Sequence, residues 1–341
     1  MAGHIDQVRA RVEQVLGLED RELIAALGGR QRPRLCRELE ALDVDEVRAR
    51  SCAAGLETIC RCDPGYPPAL NALAAPPAVL HVAGGLGRLL ELMASEPVAI
   101  VGSRNATPYG LDVARSLGRS LSFAGLTIVS GMALGIDSAA QAGALEADRS
   151  TVAVLPASAD RPYPAGKRAL YRRIVASGAA VSELGPGSGV RRWMFPARNR
   201  IIAALAAMTV VVEAGERSGA LVTARIAGGI GRPVGAVPGR VVTPQAAGPN
   251  GLLAAGACVV RGPQDVLDHL FGAGVRQPVD ERRQPPSELR PLLAAIAEGY
   301  ETAAALARAG FEADRGLAAL AALELGGFVR RGAGGRFSIL P

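Results

Sequence analysis

The fold is decided by the stretch VAIVGSRN, from Val98 to Asn105. An apolar run ends here at Gly102, and a helical pattern begins a few residues later at Gly110. Short apolar runs that stop at a small-residue turn before a helix are typical of βα units in a parallel sheet. Because the carboxyl ends of parallel strands meet at one edge, we expect Arg104 to face a crevice at that edge.

The same alternation continues through the middle of the chain. The predicted strands are Val98–Gly102, Leu126–Ser130, Val152–Leu155, Ala180–Glu183, Thr209–Glu213, Val234–Val237 and Cys258–Val260. The predicted helices between them are Gly110–Phe123, Ile136–Glu146, Gly166–Ala176, Asn199–Ala207 and Gly219–Ile230. Strands that alternate with helices predict an α/β fold with a doubly wound parallel sheet, whose crossovers bring the strand carboxyl ends to one side.

The first part of the chain, residues 1–62, is predicted to be a small N-terminal helical (SAM-like) domain. Its amphipathic patterns are Val8–Leu16, Asp20–Leu27, Pro33–Leu39 and Asp45–Ala54. Gly28 is either a glycine C-cap in such a bundle, which we favour, or part of a helix-hairpin-helix turn. The other predicted parts are a proline-rich connector at 63–95, the α/β domain at 96–273, a polar linker at 274–286 and a last domain at 287–341.

The last domain reads as three helices followed by a hairpin, which is a winged-helix-like pattern. The predicted elements are the helices Ser287–Glu298, Thr302–Ala309 and Glu312–Leu325, and the hairpin strands Phe328–Arg331 and Arg336–Ile339. The third helix carries Glu312, Asp314 and Glu324 against the single Arg315. A helix this acidic reads a DNA groove poorly, so we expect a protein-docking role for this domain.

The charge of the chain favours an anionic partner. The net charge is +6 and Lys167 is the only lysine, so nearly all the positive charge is guanidinium, which suits bidentate contacts to phosphate. The five cysteines form no C-x-x-C pair and the three histidines are isolated, so we expect no metal and no cofactor. The apolar run Ile201–Val212 is too short to cross a bilayer, and we expect a cytoplasmic protein that does not bind membranes.

Four clusters at the predicted strand–helix junctions indicate a phosphate-binding crevice. They are Val101–Asn105, Ser130–Asp137, Phe195–Arg200 and Glu213–Arg225. Small residues there expose backbone N–H groups, helix N-termini add positive dipole, and arginines add charge. The candidate nucleic-acid-binding residues are Gly102, Ser103, Arg104, Gly131, Met132, Gly135, Asp137, Arg198, Asn199, Arg200, Ser218, Gly219 and Thr223.

Several of these residues have a structural alternative. Asp137 is either an acid/base group or a cap that holds a loop, and Ser218 either binds phosphate or caps a helix. Asn199 and Arg200 are predicted to open a helix whose free N–H groups point into the crevice. The alternative is that Arg198 and Arg200 pair with acids such as Glu183 or Glu213 and hold the loops; both interpretations can also hold, one arginine each. No dinucleotide-binding fingerprint, Walker A motif or nucleophile elbow is present.

Taken together, these motifs resemble the DNA-processing protein A family (DprA, also called Smf). The matching segments are VGSR (Val101–Arg104) with Tyr109-Gly110, SGMALGID (Ser130–Asp137), Tyr163-Pro164, Ser182-Glu183, FPARNRIIA (Phe195–Ala203), VVEA (Val211–Ala214) with SGALVTAR (Ser218–Arg225), and Pro238-Gly239; the upstream DPGYPP (Asp63–Pro68) extends the match. The resemblance implies an extended Rossmann-like fold and a non-enzymatic protein. It also implies single-stranded DNA binding, a homodimer, and loading of a RecA-type recombinase during natural transformation.

The chain departs from the family pattern at a few positions. Leu134 stands where the family usually has arginine, Gln141 where it has histidine, and Pro249 where it has cysteine. Ser150 replaces a lysine that the resemblance implies contacts DNA, which would remove one phosphate contact. Arg149 and Arg161 are the candidate substitutes for that contact.

A second class of function stays open on the sequence alone. Cytokinin-activating phosphoribohydrolases, which cleave a nucleoside monophosphate, share a related Rossmann-like fold. Their P-G-G-x-G-T-x-x-E motif is absent, because Pro238-Gly239 continues as Arg240-Val241. We therefore favour a DNA-binding protein over a nucleotide-hydrolysing enzyme.

Overall fold

The computed structural model describes residues 15–277 and 285–340. The chain forms two compact units that divide near residue 279. The predicted helix Val8–Leu16 falls almost entirely outside the described residues. The first unit holds the predicted N-terminal helices and the α/β domain, and the second holds the C-terminal helices and hairpin.

Within the described residues, nine strands of the first unit form one sheet. They are β1 (Glu57–Cys60), β2 (Val79–Ala83), β3 (Val98–Val101), β4 (Ile128–Ser130), β5 (Thr151–Val154), β6 (Ala179–Ser182), β7 (Met208–Val211), β8 (Val234–Ala236) and β9 (Cys258–Val259). Their order across the sheet is β1-β2-β6-β5-β4-β3-β7-β8-β9. β1 and β2 pair antiparallel, as do β2 and β6, and every other neighbouring pair is parallel.

The chain reverses its direction of travel across the sheet at β3. From β3 it moves through β4, β5 and β6 to one side, and β7 then returns to the other side of β3. In an open parallel sheet, such a reversal leaves a crevice outside the carboxyl ends of the two strands that flank it. The expected binding edge is therefore the end of β3 and β7, after Val101 and Val211.

Helices cover both faces of the sheet. Those of the first unit are α1 (Asp20–Leu27), α2 (Arg32–Glu40), α3 (Val44–Ala53), α4 (Leu86–Ala94), α5 (Pro108–Phe123), α6 (Ile136–Glu146), α7 (Arg168–Ser177), α8 (Met194–Leu205), α9 (Gly219–Gly229), α10 (Ala247–Ala254) and α11 (Pro263–Phe271). Residues of β3 alternate between two cores: Ala99 and Val101 pack in one cluster, and Val98 and Ile100 in the other. Because both faces of β3 are buried, its sequence lacks polar residues.

Helices α5 and α6 approach each other closely through glycines. A Cβ on Gly118 would overlap the carbonyl of Ala140, and a Cβ on Gly143 would overlap the carbonyl of Arg115. Both helices lie on the face of the sheet that contains Val98 and Ile100. The backbone contact fixes the position of α6, and with it the loop that joins β4 to α6.

The seven predicted strands and the parallel sheet are confirmed. The sequence analysis did not predict β1, β2 or α4, which occupy the end of its first domain and its proline-rich connector. β1 is short and only its Ile59 is buried, while β2 follows Pro76 and Pro77, so neither gives a clear periodic signal. The domain boundaries themselves stay a prediction.

One helix boundary was predicted wrongly. α8 begins at Met194 and not at Asn199, so Asn199 and Arg200 lie in the interior of the helix. Pro196 lies in the first turn of α8, where proline is tolerated because its missing N–H costs no hydrogen bond. The free N–H groups of α8 are therefore not those of Asn199 and Arg200.

The second unit has its own small core. Its elements are α12 (Arg290–Ala297), α13 (Ala303–Arg308), α14 (Ala313–Leu325), β10 (Val329–Arg331) and β11 (Phe337–Ile339), with the two strands antiparallel. Leu306, Leu323 and Phe337 pack together at its centre. The order of elements agrees with the sequence pattern, and the winged-helix assignment stays a prediction. Among the described residues of the chain, we find no helix that is long and apolar enough to cross a membrane.

Candidate nucleic-acid interface

A cleft of about 1070 Å³ opens at the carboxyl edge of the sheet, where β3 and β7 end. Its arginines are Arg104, Arg192, Arg198, Arg217 and Arg225. Among the described residues that line it, Asp137 is the one carboxylate. Five guanidinium groups against one buried acid make this a strongly cationic concavity, which favours an anionic ligand.

The turn after β3 is held in place by backbone contacts on both sides. The Ser103 N–H donates to the carbonyl of Glu213 at 2.6 Å, and the Ser103 carbonyl accepts from the Ile136 N–H at 3.2 Å. Gly102 has no room for a side chain, because a Cβ would lie 2.6 Å from the Ile136 side chain and 2.7 Å from the Glu213 carbonyl. The strand, β7 and α6 thus fix the point from which Arg104 projects.

The side chain of Arg104 is exposed and lies over an aromatic ring. Its guanidinium carbon is 4.5 Å from the ring centroid of Phe195, within the range of a cation–π interaction. The Phe195 ring in turn lies 5.6 Å from that of Tyr163. The stacked arrangement holds the guanidinium at the mouth of the cleft while leaving its donors available to a phosphate.

The loop after β4 brings Asp137 beneath the cleft. The Gly131 N–H donates to the Asp137 carboxylate at 3.1 Å, and Met132 and Gly135 both adopt positive φ. A Cβ on Gly135 would overlap the Ser103 carbonyl, so glycine is needed there both for conformation and for space. Met132 is fully buried, so the loop acts through its backbone and not through that side chain.

Arg198 and Asp137 are a buried pair of opposite charges. Burial raises the pKa of the Asp137 carboxyl, and the charge of Arg198 and backbone N–H groups oppose that rise. Burial lowers the pKa of the Arg198 guanidinium to about 10, so it stays charged at neutral pH. One terminal nitrogen of Arg198 donates to the Val154 carbonyl, while its Nε has no hydrogen-bond partner. A Cβ on Gly131 would overlap this guanidinium.

The N-terminus of α9 forms another wall of the cleft. The Ser218 Oγ accepts from the Ala220 N–H at 3.3 Å. Ser218 is therefore the N-cap of α9, which was the structural alternative for this residue. The Asn199 side-chain amide donates to the Gly219 carbonyl at 3.1 Å and ties α8 to α9. Thr223 is buried on the first turns of α9 and lines the cleft. The positive end of this helix adds to the field of the arginines.

Arg200 lies away from the cleft. Its guanidinium donates to the carboxylate of Glu183 in a buried ion pair, and it does not line the cleft. Burial raises the pKa of the Glu183 carboxyl, and Arg200 opposes the rise. Arg200 therefore pairs with an acid, as the structural alternative for this arginine cluster predicted. Arg198 instead lies at the cleft beside Asp137.

The carboxylate of Glu213, just after β7, is also engaged in hydrogen bonds. Glu213 accepts from the backbone N–H of Thr107 at 2.8 Å and from its hydroxyl at 2.5 Å. Thr107 is the N-cap of α5, and a Cβ on Gly110 would overlap the Glu213 carboxylate. This acid therefore fixes the start of α5 and, with it, the far side of the turn that carries Arg104.

The cleft collects most, but not all, of the predicted residues. Those that line it are Gly102, Ser103, Arg104, Asp137, Arg198, Asn199, Ser218, Gly219 and Thr223. Gly131 lines a smaller adjoining pocket with Arg104 and Arg198. Met132, Gly135 and Arg200 line neither.

Sequence reasoning missed three arginines of the cleft: Arg192, Arg217 and Arg225. All three are exposed. Arg217 lies just before α9 and Arg225 lies within it, both in the predicted cluster Glu213–Arg225, and their positive charge was the available signal. Ser150, at the usual lysine position, lies just before β5 at the opposite edge of the sheet, where its hydroxyl donates to the Ser177 carbonyl.

A doubly wound sheet with a preformed cationic cleft at its switch point defines a class of binding proteins for phosphate-containing ligands. The sequence profile of the DNA recombination-mediator protein A family matches residues 57–271, which include the whole sheet. The chain belongs to this family.

Individual relatives agree with that assignment. A DNA processing protein DprA of Mycobacterium tuberculosis is 42% identical over 212 residues, which are 62% of this chain and 54% of that protein. The chain thus spans about half the length of this relative.

Two solved structures resemble the chain in fold. The crystal structure of DNA processing protein A from Streptococcus pneumoniae has a TM-score of 0.64 and 31% identity, and the match covers 77% of this chain and 92% of that one. The Helicobacter pylori protein, whose structure describes a single-stranded DNA binding mode, has a TM-score of 0.56 and 30% identity over 63% of this chain and 95% of that one.

Proposed function

We propose that the chain binds single-stranded DNA in the cleft at the carboxyl edge of β3 and β7. The observation that carries the proposal is the set of five arginines that line this cleft around the N-terminus of α9. Guanidinium groups and helix N-termini both bind phosphate oxygens, and a row of such groups suits a phosphodiester backbone. The single-stranded DNA binding mode described for the Helicobacter pylori relative supports the same ligand.

The proposal extends to a role in DNA processing. The bound strand would be protected and passed to a RecA-type recombinase during natural transformation, by a homodimer of this chain. Support for these steps comes from the family resemblance. The test of the recombinase step is strand exchange by a RecA-type protein on DNA already coated with a single-strand-binding protein, with and without this chain; an unchanged rate would contradict it.

We further propose that the cleft binds and does not hydrolyse its ligand. Asp137 accepts a hydrogen bond from the Gly131 N–H beneath Arg198, and Glu213 accepts hydrogen bonds from Thr107. Neither carboxylate stands free to activate a water. The decisive comparison sets binding of single-stranded and duplex oligonucleotides beside hydrolysis of a nucleoside monophosphate. Tight single-strand binding with no hydrolysis supports the proposal, and release of free base would favour the phosphoribohydrolase alternative.

The Arg104→Ala variant is expected to bind single-stranded DNA about tenfold or more weakly, with an unchanged melting temperature. One charge-assisted hydrogen bond to phosphate is worth on the order of 1.5–3 kcal/mol, and exposed Arg104 makes no ion pair within the described residues. Fluorescence anisotropy with a labelled oligonucleotide measures the change. Arg232→Ala, which removes a charge just before β8 at the opposite edge, is the control; equal affinity of wild type and Arg104→Ala would remove Arg104 from the site.

Binding is expected to depend steeply on salt and little on base identity. The aromatic residues near the motifs are Tyr109, Tyr163, Trp193 and Phe195, and of these four Phe195 is the one that lines the cleft, so phosphate contacts outnumber stacking rings there. Four phosphate contacts, one from each exposed arginine of the cleft, would give a slope of log affinity against log salt of about −2.8. Affinities for homopolymers of different bases should agree within about tenfold. A flat salt titration would contradict the phosphate-based mode.

A further inference from the structure

The segment that follows β5 carries a run of positive charge without a balancing acid. Residues 161–182 contain five cationic side chains and no carboxylate. They are Arg161, Lys167, Arg168, Arg172 and Arg173. The last three lie on α7, a helix of ten residues.

The cationic side chains of α7 are exposed and available. Arg168, Arg172 and Arg173 are all exposed. Within the described residues, the ion pair recorded for this segment joins Arg161 to Asp160 at 3.8 Å, and no acid lies within 4.0 Å of the three arginines of α7. Arg168 and Arg172 are one helical turn apart, so they lie on the same face of α7 with their Cβ atoms about 6 Å apart.

The other face of α7 is fully used by the fold. Ile174 is completely buried, and Leu170, Tyr171 and Val175 pack against the same core cluster. The exposed face is therefore charged without an apolar stripe. A helix that binds a bilayer needs apolar side chains to enter the acyl region, so this face suits a phosphodiester backbone better than a lipid surface.

The basic face is continuous with the cleft. α7 leads from β5 to β6, which are parallel, so it begins at the carboxyl edge of the sheet, the edge that carries the cleft. Tyr163 lines a small pocket with Arg104 and Phe195, and a short turn, Ala165–Lys167, connects it to α7. Arg104, Phe195 and Tyr163 thus form a path from the cleft to the first turn of α7.

We propose that a single strand of DNA leaving the cleft past Phe195 and Tyr163 lays its phosphates on the exposed arginines of α7. The inference rests on the proposed function of the cleft. It assigns α7 a separate role, as a second contact region that only longer strands reach. Its contacts are electrostatic and independent of sequence, because the exposed face offers charges without a stacking ring.

The test compares two oligonucleotide lengths on one double variant. Arg168→Gln/Arg172→Gln should bind oligo(dT) of about 20 nucleotides roughly threefold to tenfold more weakly than wild type. Its salt slope should be smaller in magnitude by about 1.4, which corresponds to two lost phosphate contacts. For oligo(dT) of about 4–5 nucleotides, which fills the cleft alone, affinity and slope should match wild type.

Two control variants separate charge and position. Arg119→Gln/Arg232→Gln removes two arginines near the opposite edge of the sheet, from the second half of α5 and the residues before β8, and should leave both lengths unaffected. Arg168→Lys/Arg172→Lys keeps the charge and should retain the wild-type slope. All variants are full-length, and their melting temperatures confirm folding.

The outcomes distinguish the inference from the function on which it rests. If Arg104→Ala weakens both oligonucleotides while Arg168→Gln/Arg172→Gln weakens neither, the role of α7 is overturned and the cleft stands. If the α7 variant weakens both lengths equally, α7 belongs to the cleft and is not a separate region. Failure of the wild-type protein to bind either length overturns both proposals. Loss of binding to anionic vesicles without any change in DNA binding would assign the face to membranes instead.

Discussion

The Arg198→Ala variant is expected to lose about 3–5 kcal/mol of its free energy of unfolding at neutral pH. The substitution leaves Asp137 buried and without its opposite charge, and it removes the hydrogen bond to the Val154 carbonyl. An uncompensated buried charge costs far more than the net worth of the pair it came from. Urea denaturation of the wild type and the variant measures the difference.

The pH dependence of this loss identifies its cause. Folding raises the pKa of Asp137, so the folded state holds that proton more tightly, and ionising the acid costs stability as pH rises through the folded-state pKa. Without Arg198 the cost is greater. The gap between wild type and variant should therefore be smallest at acid pH and widen as pH rises. The double variant Arg198→Ala/Asp137→Asn should recover part of the lost stability. A difference in free energy of unfolding between wild type and Arg198→Ala that does not change with pH would contradict this account.

The Arg200→Ala variant should be destabilised by a similar amount, about 3–5 kcal/mol, for the same physical reason. Arg200 is 3% exposed and donates to Glu183, whose carboxyl is also largely buried. Replacing both partners by apolar residues, Arg200→Met/Glu183→Leu, removes two desolvated charges and should restore stability to within about 1–2 kcal/mol of wild type. A double variant as unstable as the single one would show that the pair does more than neutralise charge.

Binding measurements separate Arg200 from the arginines of the cleft. At equal concentrations of folded protein, Arg200→Ala should bind single-stranded DNA within about twofold of wild type, because Arg200 does not line the cleft. Arg104→Ala should show the opposite combination, with wild-type stability and weak binding. Loss of DNA binding by folded Arg200→Ala would place its guanidinium in the path of the strand.

The sequence predicted the parallel sheet because each of its strands is a short apolar run between helical patterns. β3 shows why: its residues alternate between two buried clusters, so each position must be apolar. β1 and β2 extend the sheet antiparallel, and β1 is buried on one side only. β2 pairs in turn with Ala180 to Ser182, about a hundred positions further along the chain, and this pairing leaves no local signal in the sequence.

The position of the cleft was predictable from the sequence, and the contacts inside it were predictable only in part. Strand order and small residues place Gly102, Gly131 and Gly219 at one edge of the sheet, and the structure brings them together there. That Arg198 lines the cleft and Arg200 does not was not predictable, because nearby positions on a helix face different directions. One side chain meets Asp137 under the cleft, and the other meets Glu183.

Under the proposed function, the stacking of Arg104 on Phe195 affects how quickly a strand is captured. An exposed arginine ordinarily loses side-chain conformational entropy when it binds a phosphate, at a free-energy cost of up to about 2 kcal/mol. With its guanidinium 4.5 Å from the Phe195 ring centroid, Arg104 has given up much of that freedom in the free protein. Capture is then close to docking on a rigid surface, and its speed is set by diffusion and long-range attraction rather than by reshaping of the site.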